Sequence, residues 1–290
     1  MSKNSKGSDE YIPNMRGRQF RTYFQFSLIA VCFVLVFAVF HACLNMRNQN
    51  RLNPGDVHII QYDLPADDDT VVVFETNKGT FKAVLYEKQA PKFSKYFKGL
   101  VNDGYYDGTY VFSVEEGVYF MGGSKSTDGT NTKGTDKKKI EPEITPDLWP
   151  FKGALMSYGD KGGTFLNQKI MSGSRILFVD SVEFTEEFIS ELDSADGDPE
   201  LVETFKRKGG VPNFSQQYTV FGQVYDGFEA YDEICSAQVI NDDNLQPRED
   251  IIIEHVYLST YGENRCDSFF VNEDTPSEES ETADESTESE

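Results

Sequence analysis

The side chains that most often carry out chemistry in enzymes are scarce in this chain. Among its 290 residues there are 3 histidines and 4 cysteines. His41 lies within an apolar run, and His58 and His255 are about 200 positions apart. A Ser-His-Asp triad or a multi-histidine metal site would have only these two histidines to draw on, so we expect both to be structural. The sequence therefore predicts no metal site and no cofactor.

The cysteines form no CxxC redox motif and no zinc-binding motif. Cys32 and Cys43 lie in the same apolar run as His41, where we expect them to pack. Cys235 and Cys266 lie in the more polar part of the chain. In an oxidising compartment they could form a disulfide or remain independent thiols, and their spacing does not decide between the two.

The stretch 122–139 is rich in Gly, Ser, Thr and Lys, a composition that also occurs in phosphate-binding loops. Such a loop has the pattern G-x-x-x-x-G-K-[ST] between a strand and a helix. Gly129 and Gly134 have the required spacing, but Thr135 stands where the lysine belongs. We therefore expect a solvated loop rather than a phosphate site.

The charge of the chain excludes a further class of partner. There are 49 acidic against 27 basic residues, for a net charge of −22. Nucleic-acid-binding proteins present a basic surface to the phosphates, so we expect no nucleic-acid partner. Residues 272–290 contain nine acidic residues, no basic residue and no aromatic residue. This composition predicts a disordered acidic tail at 263–290.

The apolar run at 26–44 is long enough to cross the hydrocarbon layer of a membrane. More cations precede this run than follow it. Those before it are Lys3, Lys6, Arg16, Arg18 and Arg21, and those shortly after it are Arg47 and Arg51. This asymmetry favours an uncleaved, single-pass anchor in the cell membrane, with residues 1–25 in the cytoplasm and the main domain outside. A cleaved signal peptide and lipid attachment at Cys43 are the alternatives.

Residues 70–262, after a linker at 45–69, have the patterns of an organised domain. The expected strands are 70–76, 80–86, 110–114, 118–121, 153–158, 175–180, 219–224 and 251–259. One helix is expected to begin at Ala90-Pro91 because Phe93, Phe97, Leu100 and Val101 have helical spacing, and another covers 228–236. The stretch 184–208 reads as a helical surface insertion. Many short strands with two helices and no βαβ alternation favour an antiparallel barrel.

The order of short motifs in this domain resembles the cyclophilin-type peptidyl-prolyl isomerases over about 70–262. The first motifs are Thr76-Asn77-Lys78-Gly79-Thr80, Ala90-Pro91, Tyr96-Phe97 and Gly104-Tyr105-Tyr106-Asp107-Gly108-Thr109. The later ones are Met121-Gly122-Gly123, Gly153-Ala154-Leu155, Gly173-Ser174, Tyr218-Thr219-Val220-Phe221-Gly222 and Gly227-Phe228. The resemblance implies a mainly β fold, a closed eight-stranded antiparallel barrel with two capping helices. The apolar run at 26–44 predicts one transmembrane helix before it.

The resemblance also implies a reaction, which is cis/trans isomerisation of Xaa-Pro bonds without a cofactor. The uncatalysed barrier is about 18–20 kcal/mol, because the amide loses its resonance when it twists. In this family an apolar pocket holds the proline ring, while an arginine donates a hydrogen bond toward the prolyl nitrogen. Such a donor stabilises the twisted amide more than the planar one.

The residues at the implied catalytic positions depart from the family pattern. Ser113 occupies the arginine position, so no catalytic residue is matched. The implied substrate-binding positions hold Val118, Met121, Arg175, Leu177 and Tyr218, and the position of the family's indole falls near Asn213. Arg175 replaces a glutamine of the groove. Its guanidinium could serve as a surrogate for the missing arginine, or it could pair with an acid.

Two functions follow from these residues. The first is a weak prolyl isomerase that acts on proline-containing segments of extracytoplasmic proteins and is held at the membrane by its N-terminal anchor. The second is a module with the same fold that binds peptides or proteins without catalysis. Loss of one positioned donor costs roughly 10²–10³ in rate, which is why the two are hard to separate by sequence.

Overall fold

The computed structural model describes residues 57–133, 139–164, 167–194, 197–241 and 244–270. The expected cytoplasmic segment 1–25, the anchor 26–44 and residues 271–290 of the expected tail lie outside these ranges. Among the described residues, no helix combines the length and the apolar character that a membrane span requires.

Eight strands form a closed antiparallel barrel, which confirms the predicted architecture. They are β1 (Thr70–Thr76), β2 (Gly79–Leu85), β3 (Thr109–Glu115), β4 (Tyr119–Ser124), β5 (Ala154–Thr164), β6 (Asn167–Val179), β7 (Val220–Asp226) and β10 (Ile251–Thr260). Their order around the barrel is β1-β10-β3-β4-β6-β5-β7-β2. Two short strands, β8 (Val239–Asn241) and β9 (Asn244–Pro247), form a separate hairpin.

The interior of the barrel is built mainly from phenylalanine. Phe120 and Phe178 stack with ring centroids 4.4 Å apart, and Phe74 stacks on Phe81 at 4.9 Å. All four are at most 1% exposed. Because successive side chains of a strand point to opposite faces, the neighbours of these residues in sequence lie on the outside of the barrel.

Two helices pack on this core, as predicted. In α1 (Pro91–Asn102), Phe93 and Phe97 lie against Phe221, with ring centroids 4.7 and 5.1 Å away. The N-terminus of α1 is capped by the Glu143 carboxylate, which accepts from the backbone N–H groups of two first-turn residues at 2.9–3.2 Å. In the second of these helices (Phe228–Cys235), the buried Tyr231 hydroxyl donates to the Val179 carbonyl at 2.7 Å.

The insertion expected at 184–208 contains two short helices, α2 (Glu186–Ser194) and α3 (Pro199–Lys208). In chain order, the helix Phe228–Cys235 described above is α4. Asp198 caps α3 by accepting from two first-turn N–H groups at 2.9 and 3.1 Å. Phe205 joins the insertion to the barrel side, with its ring centroid 4.6 Å from that of Phe151.

The stretch between Tyr158 and Ser174, which the expected strands 153–158 and 175–180 leave as a connection, is a long hairpin. Strands β5 and β6 stay paired in register out to Thr164↔Asn167. The strand pattern is hidden because this part of β5 is rich in glycine. At a bulge, a Cβ on Gly159 would lie 2.3 Å from the Met171 carbonyl oxygen, so the two backbones approach too closely for another residue.

Both predicted boundaries of the domain are too narrow. Residues 57–69, placed in the linker, pack on the barrel through Gln61, which is fully buried. Its side-chain amide donates to the Trp149 carbonyl and to Gln223 at 2.9 and 2.8 Å.

At the C-terminal end of the domain, residues 263–270 are expected in the disordered tail. They instead contain two short 3₁₀ turns, and Phe270 is buried among aromatic rings. Cys235 and Cys266 are free thiols in this structure.

Candidate peptide-binding site

One row of side chains crosses five strands on the outer face of the barrel. The strand register pairs Ser113 of β3 with Met121 of β4, Met121 with Leu177 of β6, Leu177 with Met156 of β5, and Met156 with Val220 of β7. Paired residues have their side chains on the same face of a sheet. We call these five residues the outer row. Each is no more than 9% exposed, so the row is an apolar floor with one hydroxyl at its β3 end.

Four half-buried aromatic side chains stand around the outer row, and we call them the aromatic wall. Tyr119 and Phe214 have ring centroids 6.2 Å apart, as do Phe214 and Tyr218, and Tyr218 and Tyr158. All four pack against the cluster that contains Met121 and Leu177. A floor of aliphatic and thioether groups edged by phenol rings is a surface to which a proline ring and its neighbours can bind.

The structure brings together four of the five residues predicted to bind substrate. Val118, Met121, Leu177 and Tyr218 belong to one packed cluster. Their role in binding remains a prediction. Sequence reasoning missed the other three members of the wall, Tyr119, Tyr158 and Phe214. The alternation of strand residues could have identified the first two, since Tyr119 is two residues before Met121 and Tyr158 is two residues after Met156.

Ser113, at the position of the family's arginine, is covered by the wall. In the register Ser113 faces Met121, and Tyr119 faces Glu115 on the same pair of strands, so Ser113 and Tyr119 are diagonal neighbours. Burial raises the pKa of the Tyr119 phenol above its ordinary value, the nearby Ser113 hydroxyl partly opposes this, and the charge of Glu115 adds to it. The β3 end of the outer row therefore presents neutral hydroxyls where an arginine would present a charged donor.

Arg175 is engaged by the β5–β6 hairpin. Its Nη2 lies 2.9 Å from both carboxylate oxygens of Asp160, and its Cζ lies 4.8 Å from the centre of the Tyr158 ring. Lys139 Nζ is 3.1 Å from the same carboxylate. Burial raises the pKa of Asp160, but the hydrogen bonds and charges of Lys139 and Arg175 outweigh this and hold it below its usual value. Service as a surrogate at Ser113 would require this ion pair to break.

The glycine-rich loop beside the site packs on the barrel where the structure describes it. A Cβ on Gly129, which has a φ of +75°, would lie 2.4 Å from the ring of Phe112. Most of the described loop is solvated, as its composition predicts, with Lys125, Asp128, Thr130 and Lys133 exposed, and it contacts β3 through Gly129. Residues 134–138, which include Gly134 and Thr135, lie outside the described ranges.

The described residues contain no group of three or more His, Cys, Asp or Glu side chains that could hold a metal ion. His255 Nδ1 lies 3.0 Å from Asp107 Oδ2, and its ring stacks on Tyr257 with centroids 5.4 Å apart. These contacts place His255 between an acid and a phenol ring on β10, and its structural role stays a prediction.

Comparisons with known proteins agree with the fold. The sequence model of the family described as "Cyclophilin type peptidyl-prolyl cis-trans isomerase/CLD" matches residues 71–258. A protein of Staphylococcus aureus (strain COL) named "Putative peptidyl-prolyl cis-trans isomerase" is 28% identical over 185 residues, which cover 64% of this chain and 89% of the relative. A protein of Staphylococcus epidermidis with the same name is 28% identical over 190 residues, which cover 66% and 92% of the two chains.

A solved structure shows the same fold. The crystal structure of a Cryptosporidium parvum cyclophilin type peptidyl-prolyl cis-trans isomerase matches with a TM-score of 0.50 at 22% identity, and the match covers 66% of this chain and 98% of the other. The family model spans most of the barrel, from the second residue of β1 to the later part of β10. This chain is therefore a member of the cyclophilin-type peptidyl-prolyl cis-trans isomerase family.

Proposed function

We propose that this protein binds proline-containing segments of extracytoplasmic proteins on the outer row and aromatic wall, and that it accelerates their Xaa-Pro isomerisation only weakly. The observation that carries the proposal is the composition of the row, which keeps an apolar floor but has Ser113 at the position of the charged donor.

The apolar floor supports binding of proline. The middle of the floor consists of three residues that are neighbours in the register and almost fully buried, Met121, Leu177 and Met156. The half-buried rings around them leave aromatic surface for a peptide to cover. Burial of apolar surface contributes roughly 25 cal/mol per Å², so even a short proline-containing segment gains affinity there. Such binding stabilises the planar and the twisted amide to a similar extent, and so contributes little to the rate.

A weak rate follows from the hydroxyls at the β3 end of the row. A twisted prolyl amide has lost its resonance, so its nitrogen regains a lone pair that can accept a hydrogen bond. A neutral hydroxyl gives a weaker bond than a guanidinium, and serine does not span the distance that arginine does. Removal of one positioned donor costs roughly 10²–10³ in rate.

The charges on either side of the apolar run support a location of the substrates outside the cell membrane. The cations before the 26–44 run outnumber those shortly after it, which supports an anchor with the barrel outside the cell membrane. Protease added to intact cells should digest the barrel and leave a short membrane stub. Full protection of the barrel would contradict this orientation, and release of a soluble domain would support cleavage.

The activity is tested by cis/trans exchange of an Xaa-Pro peptide, measured by NMR with the full-length chain in detergent micelles. We expect an acceleration at least about 10²-fold below that of a family member with the arginine. Ser113→Arg combined with Met121→Gln should raise it. If Arg175 is a surrogate, Arg175→Ala should abolish the residual rate. If its ion pair is structural, the rate should persist. Full activity of the wild type would contradict the proposal.

The second candidate, a non-catalytic binding module, is favoured by the Arg175–Asp160 contact. Because both carboxylate oxygens of Asp160 lie 2.9 Å from its guanidinium, Arg175 has a partner that competes with substrate. The same NMR sample separates the candidates. Peptide-dependent chemical shift changes without any exchange enhancement would establish binding without catalysis.

A further inference from the structure

The β5–β6 hairpin carries the sheet beyond the candidate site. Strand β7 begins at Val220, and the contact that joins its start to β5 is a hydrogen bond from the Ser157 N–H to the Thr219 carbonyl at 2.8 Å. Beyond this bond β5 continues to Thr164, and among the described strands it pairs there with β6 alone. One side of this part of β5 is therefore open within the described chain. We call residues 159–164 the hairpin edge.

The direction of the backbone groups at the start of the hairpin edge follows from two separate contacts. Ser157 directs its N–H toward β7. On the partner strand, Ser172 exchanges two backbone hydrogen bonds with Ile140, at 3.0 and 2.8 Å, so its N–H and C=O point away from β5. The backbone groups of an antiparallel strand alternate between its two sides. Because Gly159 is paired with Ser172, both contacts place the N–H and C=O of Gly159 on the open side.

The same alternation applies along the rest of the hairpin edge. The register continues without a shift to Thr164↔Asn167. Lys161 and Gly163 therefore also direct their N–H and C=O to the open side, while the residues between them direct theirs toward β6. Six residues of a strand span about 17 Å, which is room for about five residues of a partner strand.

We propose that the hairpin edge binds the residues that precede the proline of a substrate, and that these residues add to β5 as a further strand. The inference rests on the proposed function, since the proline itself occupies the outer row. A residue that precedes proline is biased toward the extended conformation that strand addition requires. Proline has no N–H to donate to a neighbouring strand, so the ring fits the apolar floor rather than the edge.

The hairpin edge begins where the candidate site ends. Met156 lies in the outer row, and Tyr158, two residues later, belongs to the aromatic wall, with its ring centroid 6.2 Å from that of Tyr218. The next residue, Gly159, is the first of the edge. A peptide whose proline lies on the outer row therefore meets open backbone groups as soon as it passes these two rings. Main-chain hydrogen bonds supply affinity without selecting a particular sequence.

The hairpin edge lacks several of the devices that protect exposed strands. Proline, a bulge or a covering segment usually prevents such an edge from pairing with another chain. Residues 159–164 contain no proline, and their register shows no shift. Three of the six residues are glycine, which in a strand is typical of a close approach by another backbone. The edge is thus suited to a partner strand, and a second copy of the chain is the competing occupant.

The first test compares peptides that differ in length, by NMR titration of the full-length chain in detergent micelles. The short peptide is Ala-Ala-Pro-Ala with blocked ends, and the long peptide carries six further residues of alternating threonine and glutamine before it. We expect the dissociation constant of the long peptide to be about tenfold lower, since several main-chain hydrogen bonds of modest net strength form. The control peptide carries the same six residues after the last alanine, and its dissociation constant should stay within about twofold of the short peptide's.

Two changes in the chain test the edge itself. Replacement of residues 161–170 by Asn-Gly joins Asp160 to Met171 through a tight turn and retains the acid that pairs with Arg175. The advantage of the long peptide should disappear, while binding and exchange of the short peptide should stay within about twofold. Lys161→Pro removes one open N–H and should weaken binding of the long peptide about fivefold. Lys161→Ala, which keeps that N–H, is the matched control and should retain the advantage.

Amide hydrogen exchange locates the bound strand. The N–H groups of Lys161 and Gly163 should exchange more slowly when the long peptide is bound, and the short peptide should leave their exchange rates unchanged. Slower exchange confined to other parts of the barrel would contradict binding at the hairpin edge.

The remaining outcomes separate this inference from the proposed function. Equal dissociation constants for the short and long peptides, or an equal gain for the control peptide, would overturn the inference and leave the proposed function intact. Sedimentation that shows a dimer, dissociated by the replacement of residues 161–170, would assign the edge to a second copy of the chain and also overturn the inference. Absence of binding by every peptide would overturn the proposed function itself, and the inference with it.

Discussion

The inner and outer faces of strands β4 and β6 differ in how their side chains are enclosed. Inside, Phe120 of β4 and Phe178 of β6 stack at 4.4 Å and are at most 1% exposed. One residue along each strand, on the outside, Met121 and Leu177 are paired in register below rings that are only half-buried. The inner face is closed by the barrel itself, whereas the outer face is closed only by side chains that a ligand could contact.

This difference explains how the family match and the altered site coexist. Because successive side chains of a strand lie on opposite faces, the backbone of the sheet separates the inner residues from the outer ones. The outer residues can therefore change while the inner residues preserve the barrel. The fold therefore identifies the family, and the outer row decides the chemistry. Ser113 illustrates this, because its neighbour Val114 belongs to the barrel core while Ser113 itself faces Met121 in the outer row.

The largest effect should come from the inner face. Phe178→Ala removes a fully enclosed ring and should lower the free energy of unfolding by about 3–5 kcal/mol. Leu177→Ala should lower it by only about 2 kcal/mol, because the half-buried aromatic wall can collapse into the cavity that the substitution leaves. Urea titrations followed by Trp149, the single tryptophan and a buried one, measure both. Equal losses would break the distinction between the faces. Phe178→Leu extends the test if Phe178→Ala does not fold.

Substitution in the aromatic wall should have a smaller effect on stability and a direct effect on peptide binding. Phe214 contacts both Tyr119 and Tyr218, so Phe214→Leu should cost about 1 kcal/mol of unfolding free energy through two lost aromatic pairs. Peptide affinity should fall about fivefold, since the same ring bounds the outer row. NMR titration with the Xaa-Pro peptide gives the affinity. A loss of stability at unchanged affinity would show that the wall is purely structural.

The smallest effect should come from the ion pair at the edge of the site. The pKa of Asp160 is lowered in the folded state, so its stabilising contribution is present above the ordinary value near 4 and is lost as the pH falls through the folded pKa. Because Asp160 is half-exposed, Asp160→Asn should cost at most about 1 kcal/mol at pH 7. The difference from wild type should shrink below about pH 4 and in high salt. If the difference in unfolding free energy between wild type and Asp160→Asn does not change with pH, the ion pair is not its cause.

The sequence predicts the parts of the fold whose pattern is local. Strand β1 and the buried stripe of α1, with Phe93, Phe97, Leu100 and Val101, match the expectation because their periodicity determines which face is buried. The β5–β6 hairpin was missed because its glycines conceal a strand pattern. Gln61 could not be foreseen either, since a single buried amide leaves no periodic signal and its partners are far away in sequence.

The same limit applies to the candidate site. The family motifs locate Val118, Met121, Leu177 and Tyr218, which the structure brings together. They do not reveal that Tyr119 would cover Ser113 or that Asp160 would engage Arg175. Both contacts depend on side chains from a neighbouring strand, and the residue across the strand pair follows only from the register.

The closure of the barrel also constrains how the protein is made. Strand β1 pairs with β10, about 180 residues further along the chain. At roughly 5–20 residues per second of synthesis, β1 waits on the order of 10 to 40 seconds for its partner. During that time it presents an unpaired edge, which is prone to aggregation. A nascent chain halted before residue 251 should therefore be a substrate for holding chaperones, and one that is released after β10 has emerged should not.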